Sequence, residues 1–349
     1  MAETLKFCLF SDFHYRKEMY AVTVSDLEKI LERAEKEKAE AIFHAGDFSN
    51  DYTNSSEVIN TLMNNKIGVP VCGVYGNHEL EGINNSMQVV TKFLNNVENA
   101  VWGTKDGKIG DGSIAYYYVD IKSFRIVCVD TNYSFNIETG EWEHNRTRSY
   151  GPTAENLFGD SLGTEQLNWL EEVLIKSAKE GKKCIVISHN SFSGKFRSTS
   201  PDSDYIRRLF TRVNKMKSGT VLMAINGHIH TNNAAIIDNV LYLDMNTTRN
   251  SWWQFAQSEH YGQKHTYSFT NYENGKATDT YERSYGEDRM SKNTWYSKDP
   301  LNAIVTVSED GEITVEGMES EYVYAVVPPE TKWSDSEPRV LSGNWKLDI

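Results

Sequence analysis

Apolar runs of strand length alternate with amphipathic stretches over about the first 250 residues of the chain. The apolar runs are short and almost uninterrupted, which is typical of strands that are buried on both faces of a sheet. They predict five buried strands: Leu5–Phe10, Ala41–Ala45, Val69–Tyr75, Cys184–Ser188 and Val221–Asn226. Strands that alternate with helices in this way favour an α/β fold.

Two amphipathic stretches predict helices between these strands. Ser25 followed by Glu28 has the form of a capping box and predicts the start of the first helix. The apolar face of that helix would consist of Leu27, Ile30, Leu31 and Ala34. Thr164 predicts the start of another helix, whose apolar residues recur at helical spacing: Leu167, Trp169, Leu170 and Leu174.

Three pairs of strand-like runs are joined by short polar turns and predict β-hairpins. Their turns lie at residues 121–123, 238–239 and 308–311. Beyond about residue 250, Leu and Ile become rare, and aromatic and turn-forming residues replace them. We therefore expect a core at residues 1–250 and a β-rich C-terminal extension at residues 251–349, which packs on the core.

The charge of the chain narrows the range of partners. The 349 residues carry a formal net charge of −13 and contain no run rich in Lys and Arg. Proteins that hold nucleic acid usually present such a basic surface, because neutralising phosphates drives binding. A nucleic-acid duplex is therefore not the partner we expect.

The sequence shows neither of two features that would indicate a membrane or secreted location. No apolar stretch approaches the roughly 20 residues that a membrane helix needs, and the first residues lack the pattern of a signal peptide. We therefore expect a cytoplasmic location without a membrane, although a chain whose leader had been removed would show the same pattern. The four cysteines lie in apolar runs, which predicts buried reduced thiols.

Five short polar segments follow predicted strands or lie at their ends. They are Asp12-Phe13-His14, Gly46-Asp47-Phe48-Ser49-Asn50, Gly76-Asn77-His78-Glu79, Ser188-His189-Asn190 and Gly227-His228-Ile229-His230. In α/β sheets, ligands bind at the carboxyl ends of strands, where loops converge. Each segment alone is a weak or moderate signal, but five of them in this arrangement predict a single functional site.

The residue types in these segments suit a pair of metal ions. Asp and His are the donors that zinc, manganese and iron accept, whereas an all-oxygen set would suit calcium or magnesium. Asp47 can bridge two ions, since a carboxylate has two oxygens. Two cations about 3.5–4 Å apart stabilise the attacking and leaving oxygens of an in-line displacement and lower the pKa of bound water.

Together, these segments resemble the calcineurin-like metallophosphoesterase superfamily, whose pattern runs Asp-x-His, Gly-Asp, Gly-Asn-His-Asp/Glu, His and Gly-His-x-His. The match covers residues 12–230. The resemblance implies a sandwich of two mixed β-sheets flanked by helices, with the catalytic core at residues 1–250. We expect the extension at residues 251–349 to pack beside the metal site of this core and to shape the substrate cleft. The resemblance also implies hydrolysis of small phosphodiesters or phosphomonoesters by a water or hydroxide that bridges two metal ions, which would be manganese, iron or zinc.

The resemblance assigns a role to each motif residue. One ion would be held by Asp12, His14, Asp47 and His230, and the other by Asp47, Asn77, His189 and His228. His78 matches the histidine of the family that is not a ligand; it hydrogen-bonds the phosphate and protonates the leaving group.

Subfamily features point to one branch. The segment after Asp47 lacks the Arg and the second Gly of protein Ser/Thr phosphatases, and Asn50 stands where purple acid phosphatases have a tyrosine ligand. The pattern is closest to the bacterial branch that contains cyclic-nucleotide and glycerophosphodiester phosphodiesterases. Alternatives are a nuclease, which the charge disfavours, and a non-catalytic scaffold like the one in retromer, which intact ligand positions disfavour.

Three further residues are candidates for substrate contact. Arg16 directly follows the first ligand pair, where it can meet a substrate phosphate or form a surface salt bridge. Trp252 and Trp253 can form the wall of a substrate pocket or pack the extension on the core. His44, three residues before Asp47, is predicted to be buried and hydrogen-bonded. The sequence predicts neither the physiological substrate nor the oligomeric state.

Overall fold

The structure is a computed structural model, and it describes most of the chain. The described residues are 2–15, 22–49, 55–79, 99–103, 115–136, 139–144, 157–194, 200–252, 265–273, 276–285, 294–321 and 337–349.

The helices are α1 (Val24–Lys36), α2 (Ser56–Met63), α3 (Gly163–Glu180) and α4 (Ser203–Met216). The strands of the first half are β1 (Thr4–Phe10), β2 (Ala41–His44), β3 (Val71–Gly73), β4 (Val101–Trp102), β5 (Tyr117–Ile121), β6 (Phe124–Cys128), β7 (Tyr133–Asn136), β8 (Glu141–His144) and β9 (Leu157–Ser161). Those of the second half are β10 (Lys183–Ile187), β11 (Val221–Asn226), β12 (Asn233–Ile237), β13 (Val240–Asp244), β14 (Asn250–Trp252), β15 (His265–Glu273), β16 (Lys276–Tyr285), β17 (Thr294–Tyr296), β18 (Ala303–Ser308), β19 (Glu312–Gly317) and β20 (Gly343–Lys346).

Two mixed sheets form the centre of the molecule. The first has the strand order β20-β19-β18-β1-β2-β3, and the second has the order β12-β13-β11-β10-β6-β5-β4. In the first sheet β1, β2 and β3 are parallel, and in the second β6, β10, β11 and β13 are parallel. The predicted sandwich of two mixed sheets flanked by helices is confirmed. Small sheets β14-β17, β15-β16 and β8-β7-β9 accompany it.

The core occupies both faces of the second sheet. On β10, Ile185 and Ile187 point into the apolar cluster shared with the first sheet, where Phe7 and Leu9 of β1 lie. The alternate residues of the same strand, among them Val186, belong to a second cluster against α3 and α4. This two-residue alternation places one sheet between a second sheet and a helical layer.

The C-terminal strands belong to the first sheet. β18 runs antiparallel to β1, with Thr4 opposite Ser308 and Leu9 opposite Ala303, and β19 and β20 continue the sheet outward. The division of the sequence at residue 250 therefore does not coincide with a break between sheets, because part of the β-rich extension completes the core sheet. A role of the extension at the substrate cleft stays a prediction.

The predicted hairpins at 121–123, 238–239 and 308–311 are present as β5-β6, β12-β13 and β18-β19. The predicted capping residues of two helices were wrong by two positions each. Thr23, not Ser25, precedes α1, because its backbone N–H donates to the carboxylate of Asp26 (2.8 Å). Leu162 precedes α3, so Thr164 lies inside the first turn.

Among the described residues, no helix is long and apolar enough to span a bilayer. The cytoplasmic location stays a prediction. The four cysteines are buried and free, as predicted.

Candidate metal centre

Five strand ends from the two central sheets deliver the predicted site residues to one place. The first sheet supplies Asp12 and His14 after β1, Asp47 after β2, and Asn77 and His78 after β3. The second sheet supplies His189 after β10 and His228 and His230 after β11. Three overlapping groups with metal-ligand character result: Asp12, His14 and His230; His14, Asp47 and His78; and Asp47, His189 and His228.

Five of these residues adopt a left-handed backbone conformation, which is costly for a residue with a side chain. The φ angles are 50° for Asp12, 52° for His14, 53° for Asp47, 72° for His228 and 54° for His230. Such conformations cost on the order of 1–3 kcal/mol each and persist only where the surroundings enforce them. The fold therefore stores backbone strain at this site, which aims the side chains inward.

Three glycines of the motifs allow the loops to approach closely. A Cβ on Gly46, which has φ +96°, would lie 2.3 Å from Nδ1 of His189, and one on Gly76 would lie 2.1 Å from Oδ1 of Asp47. A Cβ on Gly227 would meet the Ser11 hydroxyl at 1.9 Å. Residues with a side chain at these positions would prevent the loops from approaching so closely.

The first group of donor atoms surrounds a point between Asp12, His14 and His230. Nε2 of His230 lies 3.1 Å from Oδ1 of Asp12 and 3.0 Å from Nε2 of His14. The His14 nitrogen is also 3.8 Å from Oδ2 of Asp47. Two ligand atoms about 2.1 Å from one ion and at right angles to each other are about 3.0 Å apart, so this spacing fits a shared cation.

The second group is centred on His189. Its Nε2 lies 3.2 Å from Oδ2 of Asp47 and 3.1 Å from Nδ1 of His228. Nδ1 of His189 lies 2.8 Å from the carbonyl oxygen of Ala45. Since a carbonyl can only accept, Nδ1 carries the proton in this contact, and the neutral ring keeps a lone pair on Nε2 for a cation.

The two oxygens of the Asp47 carboxylate have different partners. Oδ1 accepts the backbone N–H of His78 at 2.8 Å. Oδ2 is the oxygen near both His14 (3.8 Å) and His189 (3.2 Å). The atom between the two donor groups is therefore Oδ2, whereas the sequence indicated only that two oxygens were present.

Glu79 belongs to a motif, but the sequence suggested no role for it. It is buried, and its carboxylate accepts three backbone N–H groups, from Asp47 (2.9 Å), Ser49 (3.1 Å) and Gly76 (2.5 Å). Burial and the charge of Asp47 raise the pKa of Glu79 to about 8, and two of these N–H groups oppose the rise. Glu79 thus joins the loops after β2 and β3.

Ser11 and a backbone amide orient Asp12 in a comparable way. The Ser11 hydroxyl donates to Oδ2 of Asp12 at 2.5 Å, and the His228 N–H lies 3.1 Å from both carboxylate oxygens. These contacts connect the loops after β1 and β11. The signal in the sequence was only the proximity of Ser11 to the Asp-x-His motif.

Burial and mutual charge control the protonation of the cluster. Burial lowers the pKa of His14 and of His228 to about 3, so both rings are neutral at pH 7. Burial acts to raise the pKa of Asp12 and Asp47, but neighbouring histidines hold both below the usual range. Burial likewise acts to lower the pKa of His189, yet Asp47 raises it to about 10. A cation at this point would take the place of that proton.

The structure does not test the three predicted substrate contacts. Arg16 and Trp253 lie outside the described residues, and Trp252 is the last residue of β14, where its backbone is opposite Thr294. Their contact with substrate stays a prediction. His44 is buried, and its Nδ1 accepts the Gly46 N–H at 3.3 Å, in agreement with the prediction for it.

The fold and this arrangement agree with a known family. The profile of the calcineurin-like phosphoesterase family matches residues 5–232, more than half of the chain. The chain therefore belongs to the calcineurin-like phosphoesterase family, a class of phosphoric ester hydrolases. This confirms the family that the sequence resembled, while its bacterial branch stays a prediction.

Individual relatives are distant. The manganese-dependent ADP-ribose/CDP-alcohol diphosphatase of Mus musculus is 24% identical over 205 residues, which are 50% of this chain and 59% of the mouse protein. The match thus spans less than two thirds of that relative. A dimetal phosphatase from Danio rerio has a similar fold, with a TM-score of 0.57 and 16% identity over 92% of this chain and 99% of the other. A purple acid phosphatase from yellow lupin (Lupinus luteus) seeds is less similar, with a TM-score of 0.45 and 12% identity over 91% and 52% of the two chains.

Proposed function

We propose that this protein is a dinuclear metal-dependent hydrolase of small phosphate esters. The observation that carries the proposal is the position of Oδ2 of Asp47, which lies between two groups of buried histidine nitrogens. The ionised carboxylates and the neutral imidazoles of His14 and His228 are costly to bury together without a positive charge, which either the proton on His189 or a bound cation supplies. Family membership supports the same chemistry.

Each ion would have its own set of donors. Asp12, His14 and His230 would hold one, His189, His228 and Asn77 the other, and Asp47 would contribute to both. When bound, the two ions supply Lewis acidity, which lowers the pKa of water and stabilises charge on the phosphoryl group. The Asp and His donors suit manganese, iron or zinc, and the name of the mouse relative favours manganese.

His78 would be the residue that contacts the substrate. Its side chain is the most exposed of the third donor group, at 21%, and its Nε2 lies 3.9 Å from Oδ2 of Asp47. The ring stands edge-on to His14, with centroids 4.7 Å apart. A ring at the solvent side of two cations can bind a phosphoryl oxygen and donate a proton to the departing oxygen.

A second candidate substrate class is the diphosphate bond of a nucleoside diphosphate derivative. The mouse relative is named for that activity. A diphosphate carries two anionic groups, which two cations and a nearby histidine can accommodate. The proposal for this chain is limited to a small substrate, since no basic run suited to a nucleic-acid backbone exists in the sequence.

The proposal is tested by an activity panel on the full chain loaded with manganese, iron or zinc. The panel contains a nitrophenyl monoester, a bis-nitrophenyl diester, a cyclic nucleotide, ADP-ribose and duplex DNA. We expect metal-dependent turnover of at least one small ester and none with chelator. Preference for DNA would favour a nuclease, and two bound ions without any turnover would favour the scaffold.

We predict that metal-loaded protein contains two ions about 3.5–4 Å apart. The reason is that one carboxylate oxygen is near both histidine groups. Anomalous scattering from crystals grown with manganese, together with elemental analysis, measures the number and spacing. A single ion, or an ion held by residues outside the seven donors named above, would overturn the assignment.

Removal of the metal is expected to lower Tm. A ligand that binds only the folded state, present at 100 times its Kd, stabilises it by about 2.7 kcal/mol. Thermal unfolding of the chelated protein before and after addition of manganese measures the shift. In the matched variant Asp47→Asn, which keeps the size of the side chain, manganese should raise Tm much less. Equal shifts in both proteins would argue against the site.

A further inference from the structure

The loop that carries His230 is hydrogen-bonded to a segment far away in the sequence. Asn232, two residues after His230, is buried, and its Nδ2 donates to the carbonyl of Arg339 at 2.7 Å. Its Oδ1 accepts the backbone N–H of Leu341 at 3.1 Å. Both polar atoms of the Asn232 side chain thus form hydrogen bonds with the backbone of residues 337–341.

A second buried asparagine holds the same segment from the loop after β13. Nδ2 of Asn246 donates to the carbonyls of Glu337 (3.1 Å) and Arg339 (3.0 Å). The carbonyl of Arg339 therefore accepts hydrogen bonds from two different loops. We call Asn232, Asn246 and residues 337–341 the C-terminal clamp.

The loop after β13 also reaches the loop of Asp12. The Thr247 hydroxyl donates to the carbonyl of Asp12 at 2.8 Å, and the Thr248 hydroxyl donates to that of Ser11 at 2.9 Å. A chain of hydrogen bonds thus runs from the segment 337–341 through Asn246 and Thr247 to Asp12. Through Asn232, the same segment is connected to the loop of His230.

We propose that the C-terminal clamp is a positioning element of the metal centre, which holds the loops of Asp12 and His230 at the spacing that one ion requires. The proposal rests on the proposed function. Asp12 and His230 both have positive φ, so their loops need external contacts to keep that conformation. Removal of a buried amide leaves the backbone groups that it satisfied without this partner, which favours movement of the loops that it holds.

The clamp affects one ion more than the other. The ion assigned to Asp12, His14 and His230 depends on both clamped loops. Three of the four donors assigned to the other ion, Asp47, Asn77 and His189, lie on loops that these clamp contacts do not include, and only its fourth donor, His228, shares the loop of Asn232. Loss of the clamp should therefore weaken the binding of the ion at Asp12, His14 and His230 more than the binding of the other ion.

The test uses the full chain with Asn232→Ala, Asn246→Ala and the double variant. Manganese binding is followed by titration calorimetry and by the electron paramagnetic resonance spectrum, in which a coupled pair of ions differs from a single ion. We expect each single variant to bind one manganese ion with about tenfold lower affinity, the lower end of the range for residues that support metal ligands. Single-ion signal should then appear at metal concentrations that give the pair in the unmodified protein.

The double variant tests whether the two residues act through the same segment. Both asparagine side chains donate to the carbonyl of Arg339. The loss of manganese affinity in the double variant should therefore be smaller than the product of the losses in the two single variants. Thr314→Val serves as the control, since it removes a hydrogen bond to Asn344 (2.8 Å) between exposed parts of β19 and β20. It should lower Tm without changing manganese affinity.

Four outcomes are informative. Unchanged affinities in folded Asn232→Ala and Asn246→Ala proteins would overturn the clamp, and so would equal weakening of both ions or an equal effect of Thr314→Val. Failure of the unmodified protein to bind two ions would instead overturn the proposed function. If a variant does not fold, Asn232→Ser, which is smaller and still polar, provides the same comparison.

Discussion

His78→Ala is expected to lower turnover of a substrate with a poor leaving group at least about a hundredfold while both metal ions stay bound. The side chain of His78 is partly exposed beside Asp47, and its backbone N–H, which the substitution keeps, holds Oδ1 of Asp47. A ring in this position can donate a proton to the departing oxygen, and general acid catalysis of this kind contributes about 10²–10⁴-fold.

The measurement compares an alkyl ester with a nitrophenyl ester, whose leaving group hardly needs a proton. The loss should be much smaller for the nitrophenyl ester. His44→Gln is the control, because His44 is buried near the site but outside the donor groups; it should leave the ratio of the two rates unchanged. Equal losses for both esters would assign phosphate binding alone to His78, and loss of a metal ion would make it a ligand.

Glu79→Gln is expected to lower metal affinity or turnover about 10–100-fold, the usual cost of removing a group that orients metal ligands. Both oxygens of Glu79 accept backbone N–H groups, from Asp47, Ser49 and Gly76. The amide of Gln has the same shape, but its NH₂ group would face an N–H donor, so at least one of these contacts is lost. The loop that aims Asp47 would then relax.

Metal affinity by calorimetry and Tm of the metal-free protein are measured together, so that loss of support can be distinguished from general destabilisation. The matched control is Asp130→Asn, an isosteric change at another buried carboxylate after a strand, which accepts two hydrogen bonds from Asn132. We expect it to change Tm but not metal affinity. Equal metal affinities of Glu79→Gln and the unmodified protein would refute the role of Glu79.

The sequence by itself determined the class of fold and the residues that gather at the site. Strand-length apolar runs indicate buried strands, since both faces of a central strand exclude water. The motif residues follow β1, β2, β3, β10 and β11, and the carboxyl ends of parallel strands lie at one edge of a sheet. The types of donor in the motifs were enough to predict metal chemistry.

Only the tertiary structure decided how these residues are oriented. That β18 pairs with β1, about 300 positions apart in the sequence, depends on non-local contacts that no local pattern encodes. The same is true of the five positive φ angles, of the three N–H groups at Glu79, and of the asparagines that hold residues 337–341. Local sequence determines which conformations and donors are available, whereas packing of distant segments selects among them, because each strained loop is stable only when buried partners satisfy it.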